Sequence, residues 1–382
     1  SCLAFSALMI RQWNQGAFGL SPGMTAALSI SLCTLAEVTG LLLAPALARR
    51  LSIRKLLLAS TALLIASNLT CFFTGSSLMI LLLRTLSGLG FAGNKQASNS
   101  MIALGYETDK EREDNLAESN AGLIGGIMCG SSLGAIIAAA FGYEATFVLA
   151  AAFFVGYLVF LLYFIPWRLL TENSVVRVSA EISIPRVMGL LFHPQVLRYS
   201  LTVNFPVYLF LMAIVVLIPG IIQSGGISPL VLTYSNLLNG LAGMYLGVKL
   251  GTLLRTRLNL KRGLLAVTAL GSAALLMQLL PSAAIALLVA AILLGLVDGA
   301  GVPLATDHFL ALPVVKEGMD EATALTLLSI IGFAVMTLAP LILEICINSK
   351  MAILILAILL ITLNLFMGKH YNLNMEGRDY NA

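Results

Sequence analysis

The chain has 382 residues, 59% hydrophobic and only 10% charged, whereas soluble domains carry about 25% charged residues. With a mean hydropathy of +0.96, no water-soluble fold could bury this much apolar surface, so the bilayer is the solvent. The formal charge of +4 is explained better by the placement of basic residues in particular loops than by an acidic partner, and no nucleic acid is expected as a partner.

Apolar runs long enough for a ~30 Å hydrocarbon layer, about 20 helical residues each, recur along the chain. Polar breaks place them at 1–15, 23–46, 55–74, 77–104, 117–139, 145–166, 199–222, 229–252, 263–281, 283–310, 321–346 and 350–368. A membrane β-barrel would instead show alternating segments of about ten residues. The expectation is an all-α, polytopic membrane protein with twelve transmembrane helices, the first one short. Cys2, Cys33, Cys71, Cys129 and Cys346 are scattered singly, and the three histidines have no zinc spacing, so neither a disulfide framework nor a metal site nor a cofactor is expected.

If the first segment runs outward, the loops on the inner side hold 17 of the 22 basic residues, beginning with Arg49, Arg50, Arg54 and Lys55. The outer side keeps Arg11 and Lys350. That bias puts both termini in the cytoplasm, and a bacterial cytoplasmic (inner) membrane is the expected location.

An internal repeat is visible. Gly19-Leu-Ser-Pro22 recurs as Gly226-Ile-Ser-Pro229, and Arg50-Leu-Ser-Ile-Arg-Lys55 as Arg257-Leu-Asn-Leu-Lys-Arg262, each displaced by 207 residues. Gly40 and Gly247 share that displacement, while Gly88-x-Gly90 and Gly299-x-Gly301 are 211 apart. Two parallel repeats imply two pseudo-symmetric six-helix bundles. The expected division is 1–166, a linker at 167–198, a second bundle at 199–368 and a tail at 369–382. Projecting the seventh segment back by 207 residues starts the first helix before Ser1, so it reads as truncated. Within the linker, Ile184 to Arg198 reads as an amphipathic helix on the inner leaflet.

Three motifs resemble those of the major facilitator superfamily. Arg84-Thr-Leu-Ser-Gly88-Leu-Gly90-Phe-Ala92-Gly93 is similar to the R-x-x-x-G-x-G-x-A motif of its twelve-helix drug-proton antiporters. Leu47-Ala-Arg-Arg50-Leu-Ser-Ile-Arg54-Lys55 resembles the superfamily's loop signature, with Arg49 in place of aspartate and Ser52 in place of glycine. Gly126-x-x-x-Gly130-Ser-Ser-Leu-Gly134-Ala135 resembles the antiporter motif of the fifth helix, with Ser131 in place of proline. The resemblance implies gating or helix-packing roles for Arg50, Arg54, Lys55, Gly88, Gly90, Gly126, Gly130 and Gly134; glycine faces also serve ordinary close packing.

A charge at mid-bilayer costs about 2.5–3.5 kcal/mol even on insertion scales, which singles out Glu37, Arg84 and Asp298. They are candidate substrate-binding or coupling residues, with protonation of Glu37 or Asp298 the expected switch beside a cation such as Arg84; a structural ion pair or a snorkelling side chain is the alternative for each. Arg84 and Lys95 are eleven residues apart, close to three helical turns, so they share a face at about 16 Å. Ser87, Phe91 and Ser98 fall on the same stripe. In members of the resembled family the fourth helix lines the central cavity, and a cationic stripe there suits an anionic or zwitterionic substrate. Asn236 and Asn239 are candidates to hydrogen-bond a substrate or to bridge helices. Glu118 reads as a helix cap, Lys249 as a snorkelling side chain, and His308 beside Asp307 as a possible proton carrier.

The function expected is alternating-access, proton-coupled efflux of a small organic molecule, anionic or amphiphilic, by a monomer whose partners are substrate, protons and lipid. An importer of an anionic metabolite, a lipid flippase, or a receptor or scaffold on the same fold are the alternatives. No nucleophile elbow, phosphate loop or metal cluster points to an enzyme.

Overall fold

The computed structural model describes residues 2–105, 109–165, 167, 189–228, 230–280, 283–316, 321–347 and 349–370, and all of its regular structure is helical. In chain order the helices are α1 (Cys2–Trp13), α2 (Pro22–Arg50), α3 (Ile53–Phe73), α4 (Ser77–Gly105), α5 (Asp109–Phe141) and α6 (Ala145–Phe164). After the linker come the longer helices α7 (Pro194–Ser224), α8 (Leu230–Arg257), α9 (Leu260–Met277), α10 (Ala283–Leu310), α11 (Glu321–Ile347) and α12 (Lys350–His370), with a four-residue helical turn, Pro313–Lys316, between α10 and α11. Nine helices among the described residues are long and apolar enough to cross a membrane. The others, α1, α5 and α12, carry shorter apolar stretches among those residues, Cys129–Phe141 within α5 and Lys350–Leu365 within α12.

Local chemistry sets the helix ends, and it repeats. Ser52 starts α3 by accepting from the Lys55 amide at 3.4 Å, and Asn259 starts α9 by accepting from the Arg262 amide at 3.0 Å. Each caps orphan amides of a first turn. The preceding helices close alike, with the Leu51 amide donating to Leu47 and the Leu258 amide to Leu254. Gly19 and Gly226 both adopt positive φ, 75° and 61°, a region glycine enters without a steric penalty. All three pairs stand at the sequence displacement of 207 residues.

The α7 helix begins earlier than its apolar run. Pro194 occupies the first turn and the His193 ring accepts from the Gln195 amide at 3.3 Å. Residues 194–198, expected to end an interfacial helix, therefore open α7; residues 184–188 of that expected helix lie outside the described residues. Two π-helical turns, Ser200–Asn204 in α7 and Ala242–Gly247 in α8, have no hydrophobic-pattern signal.

Helix α7 is central, packed on α10 and α11, while α6 lies at the edge against α3. Its Phe153, Phe160 and Phe164 are exposed, as expected of a surface facing acyl chains. Helix α4 packs on α2 and α3, and α10 packs on α8 and α9. Glycines make these approaches possible. A Cβ on Gly88 would run into the Cys33 carbonyl of α2, and one on Gly90 would come within 3.0 Å of Leu64 of α3. Likewise a Cβ on Gly299 would run into the Gly243 carbonyl of α8, and one on Gly301 would come within 2.9 Å of Val267 of α9.

Candidate functional site

Two charged side chains and a thiol meet where α2 faces α4, and a third charge, Lys95, lies farther along α4. Glu37 and Arg84 are both buried. Cys33, one turn before Glu37 on the same face of α2, lies between them: its Sγ is 3.8 Å from Glu37 Oε1 and accepts from Arg84 Nη2 at 3.5 Å. Lys95 is half-buried, and its Nζ stands 5.5 Å from the centroid of the Phe333 ring on α11, within cation–π range. The arrangement joins one carboxyl group able to carry a proton, two cations able to hold an anion, and an aromatic ring supplied by the second half of the sequence.

The remaining site candidates separate. Ser87 is buried and its hydroxyl is 2.8 Å from that of Ser67 on α3, so it ties two helices of the first half together. Phe91 and Ser98 are half-buried on α4. The Oδ2 of Asp298 accepts from Asn239 Nδ2 at 3.4 Å, while Oδ1 has no hydrogen-bond partner among the described residues. Asn239 also donates to the Ala291 carbonyl at 3.3 Å. Asn236 is half-buried on α8. Arg54 and Lys55 are exposed, with the Arg54 guanidinium 5.3 Å from the Trp167 ring centroid; the side chains of Arg50 and Glu118 lie outside the described residues. On α5, Gly134 has the Phe5 ring 2.5 Å from where a Cβ would stand, Gly126 faces open space and Gly130 is half-buried. Lys249 is exposed, and Asp307 pairs with Arg255 at 2.7 Å.

Toward the end of the molecule that carries residues 14–21 and 225–228, helices from the two parts of the sequence meet. Arg11 of α1 forms a part-buried ion pair with Glu344 of α11. Gln223 of α7 donates to the Leu8 carbonyl at 3.3 Å. Deeper along the same seam, the hydroxyls of Thr34 and Thr337 are 3.2 Å apart. A cavity of about 270 Å³ beside this seam is lined by Gln12, Ala135, Ala138, Tyr143, Gln223 and Leu232 among others. Burial pushes the Tyr143 phenol above its ordinary pKa.

Sequence reasoning missed Cys33, Phe333 and the Arg11–Glu344 pair. The i, i+4 spacing of Cys33 and Glu37 was available as a signal. Arg11 and Glu344 are 333 residues apart, and only their shared position near helix ends of one side hinted at a meeting.

A family model described as Major Facilitator Superfamily matches residues 2–313. Among solved structures, a mutant of the nucleoside transporter NupG is similar at 13% identity and TM-score 0.67, covering 97% of this chain and 96% of that one. A mutant peptide transporter POT in complex with alafosfalin is similar at 14% identity and TM-score 0.62, over 96% of this chain and 91% of that one. A POT family transporter in complex with a thioalcohol-conjugated peptide is similar at 11% identity and TM-score 0.69, over 96% and 93%. At these identities the likeness is one of fold. No curated protein sequence matches the chain.

Proposed function

Because the chain belongs to the major facilitator superfamily, we propose that it moves a small organic anion or zwitterion across the membrane by alternating access, exchanging it for protons. In this reading α1–α6, residues 1–166, form one bundle and residues 199–368 the other, joined by the 167–198 linker. The chain acts as a monomer in a bacterial inner membrane with both termini in the cytoplasm. The observation that carries the reading is the buried pair Glu37 and Arg84 linked through the Cys33 thiol, with Lys95, on the same helix as Arg84, facing the Phe333 ring of α11.

A carboxyl group linked through a thiol to one cation, with a second cation farther along that cation's helix, gives proton and substrate a common address. An arriving anion takes hydrogen bonds from Arg84 or Lys95, weakens their hold on Glu37 and changes its proton occupancy. The proton and the solute are thereby linked thermodynamically, each altering the affinity for the other. Among the described residues Asp298 has no cation in an ion pair with it, and it is assigned to the structure of the second half with Asn239. The repeated caps, the paired positive-φ glycines and the matched approaches of Gly88 and Gly299 support a two-bundle architecture.

Export is favoured by the Arg84 to Ala92 motif of α4 and its resemblance to drug-proton antiporters. Uptake of a polar metabolite is the second reading, favoured by the fold shared with a nucleoside transporter and peptide transporters. Purified protein in lipid vesicles, tested for flux of small organic anions, nucleosides and short peptides with and without a pH gradient, separates the two. Counterflow of solute against protons supports exchange, and co-directional movement supports uptake. Binding without any flux would remove transport altogether.

A further inference from the structure

At the end carrying residues 14–21 and 225–228, a part-buried ion pair sits in a place shaped for it. Arg11 and Glu344 have side chains only 14% and 6% exposed, so neither is a loose surface charge, and a buried pair broken on one side leaves an uncompensated charge. Two glycines form the seat. A Cβ on Gly23 of α2 would strike the Glu344 carboxylate and stand 3.6 Å from Arg11 Nη1. A Cβ on Gly220 of α7 would strike Ile347 and stand 3.5 Å from Arg11 Nη2. Four helices therefore meet at one ion pair, α1 and α2 from the first half of the sequence and α7 and α11 from the second.

We propose that Arg11 and Glu344, seated by Gly23 and Gly220, are the gating residues that hold this end of the transport path shut. The inference rests on the alternating-access reading above and adds to it residues that the coupling cluster does not include. Below the ion pair, the Thr34 and Thr337 hydroxyls continue the closed seam. Opening this end must separate α1 and α2 from α7 and α11, which breaks the pair and exposes both charges to water. The charge-assisted contact is worth most while desolvated, so it biases the equilibrium between closed and open states without touching the solute.

Ala27, one turn below Gly23 on the same face of α2 and 1% exposed, is a reporter position above the threonine seam. An Ala27→Cys protein in lipid nanodiscs is treated with a charged, membrane-impermeant methanethiosulfonate, and its labelling rate is corrected for that of the same protein without the reporter. Glu344→Gln is expected to speed labelling about tenfold, the shift of a two-state equilibrium that loses one favourable contact, and Arg11→Gln is expected to do the same. Exchanging the charges, Arg11→Glu with Glu344→Arg, is expected to restore slow labelling, a rescue that a misfolded variant would not show. Unchanged labelling in Glu344→Gln, or no rescue in the exchanged pair, overturns the proposal. Solute flux read in parallel keeps the two inferences apart. Flux in the unaltered protein with unchanged labelling in Glu344→Gln sinks the gate alone, while faster labelling in a protein that moves no solute sinks the transport reading alone.

Discussion

The two places where α4 meets α2 and α10 meets α8 share a backbone arrangement and differ in chemistry. In both, a glycine of one helix lies against a carbonyl of the other, Gly88 on Cys33 and Gly299 on Gly243. Beside the first contact lie Glu37 and Arg84, linked through the Cys33 thiol; near the second lie Asp298 and Asn239, joined by one 3.4 Å hydrogen bond. Close helix packing depends on a missing side chain, whichever polar groups surround it, so both copies of the repeat can use it. A charged cluster depends on several particular side chains at once: among the described residues α2 and α4 set Glu37 and Arg84 about the Cys33 thiol, whereas α8 and α10 carry the partly exposed Arg255–Asp307 pair. The proposed coupling chemistry is accordingly one-sided, in a frame whose local features recur.

The sharpest way to break that contrast is to neutralise the two carboxylates separately. Glu37→Gln is expected to reduce gradient-driven flux to the level seen without a gradient, measured in proteoliposomes, while the protein elutes normally in size exclusion. The glycines should behave alike: Gly88→Val and Gly299→Val are each expected to cost about 1–3 kcal/mol of stability by overpacking, read by thermal unfolding in detergent. Lys95→Met is expected to weaken solute affinity about tenfold, the scale of one lost charge-assisted hydrogen bond, with little change in maximal rate. Asp298→Asn, which keeps a hydrogen-bonding side chain opposite Asn239, is expected to alter flux by less than about threefold. Ser87→Ala should cost about 1 kcal/mol through the lost bond to Ser67 and leave flux unchanged.

Much of the helical plan was legible because hydrocarbon demands long apolar runs. The tenth run, 283–310, coincides with α10, and the fourth and eleventh agree with their helices within one residue at each end. Helix α7 outran its apolar segment because His193 and Pro194 start a helix by capping, which hydropathy does not register. The π-turns at Ser200–Asn204 and Ala242–Gly247 were invisible for a related reason: they insert into helices without altering composition. Within the candidate site, Glu37, Arg84 and Lys95 stood out because a charge among apolar neighbours is costly. Cys33 and Phe333 did not, since a thiol and a phenyl ring are ordinary in such helices, and their roles come from which helix they face. Ser87 shares the Arg84 stripe by spacing, yet its hydroxyl turns to Ser67, a choice set by the neighbouring helix α3.

The most direct test of the central claim is a measurement of protons set in motion by solute. A ligand is first selected by a binding screen of small organic anions, nucleosides and short peptides. Purified protein is then placed in vesicles that enclose a pH-sensitive dye, and a gradient of that ligand is imposed at equal pH on both sides. The account predicts a dye signal with the unaltered protein and none with Glu37→Gln, although the ligand itself still exchanges. An equal signal from Glu37→Gln, or ligand movement by the unaltered protein with no proton movement, would contradict it.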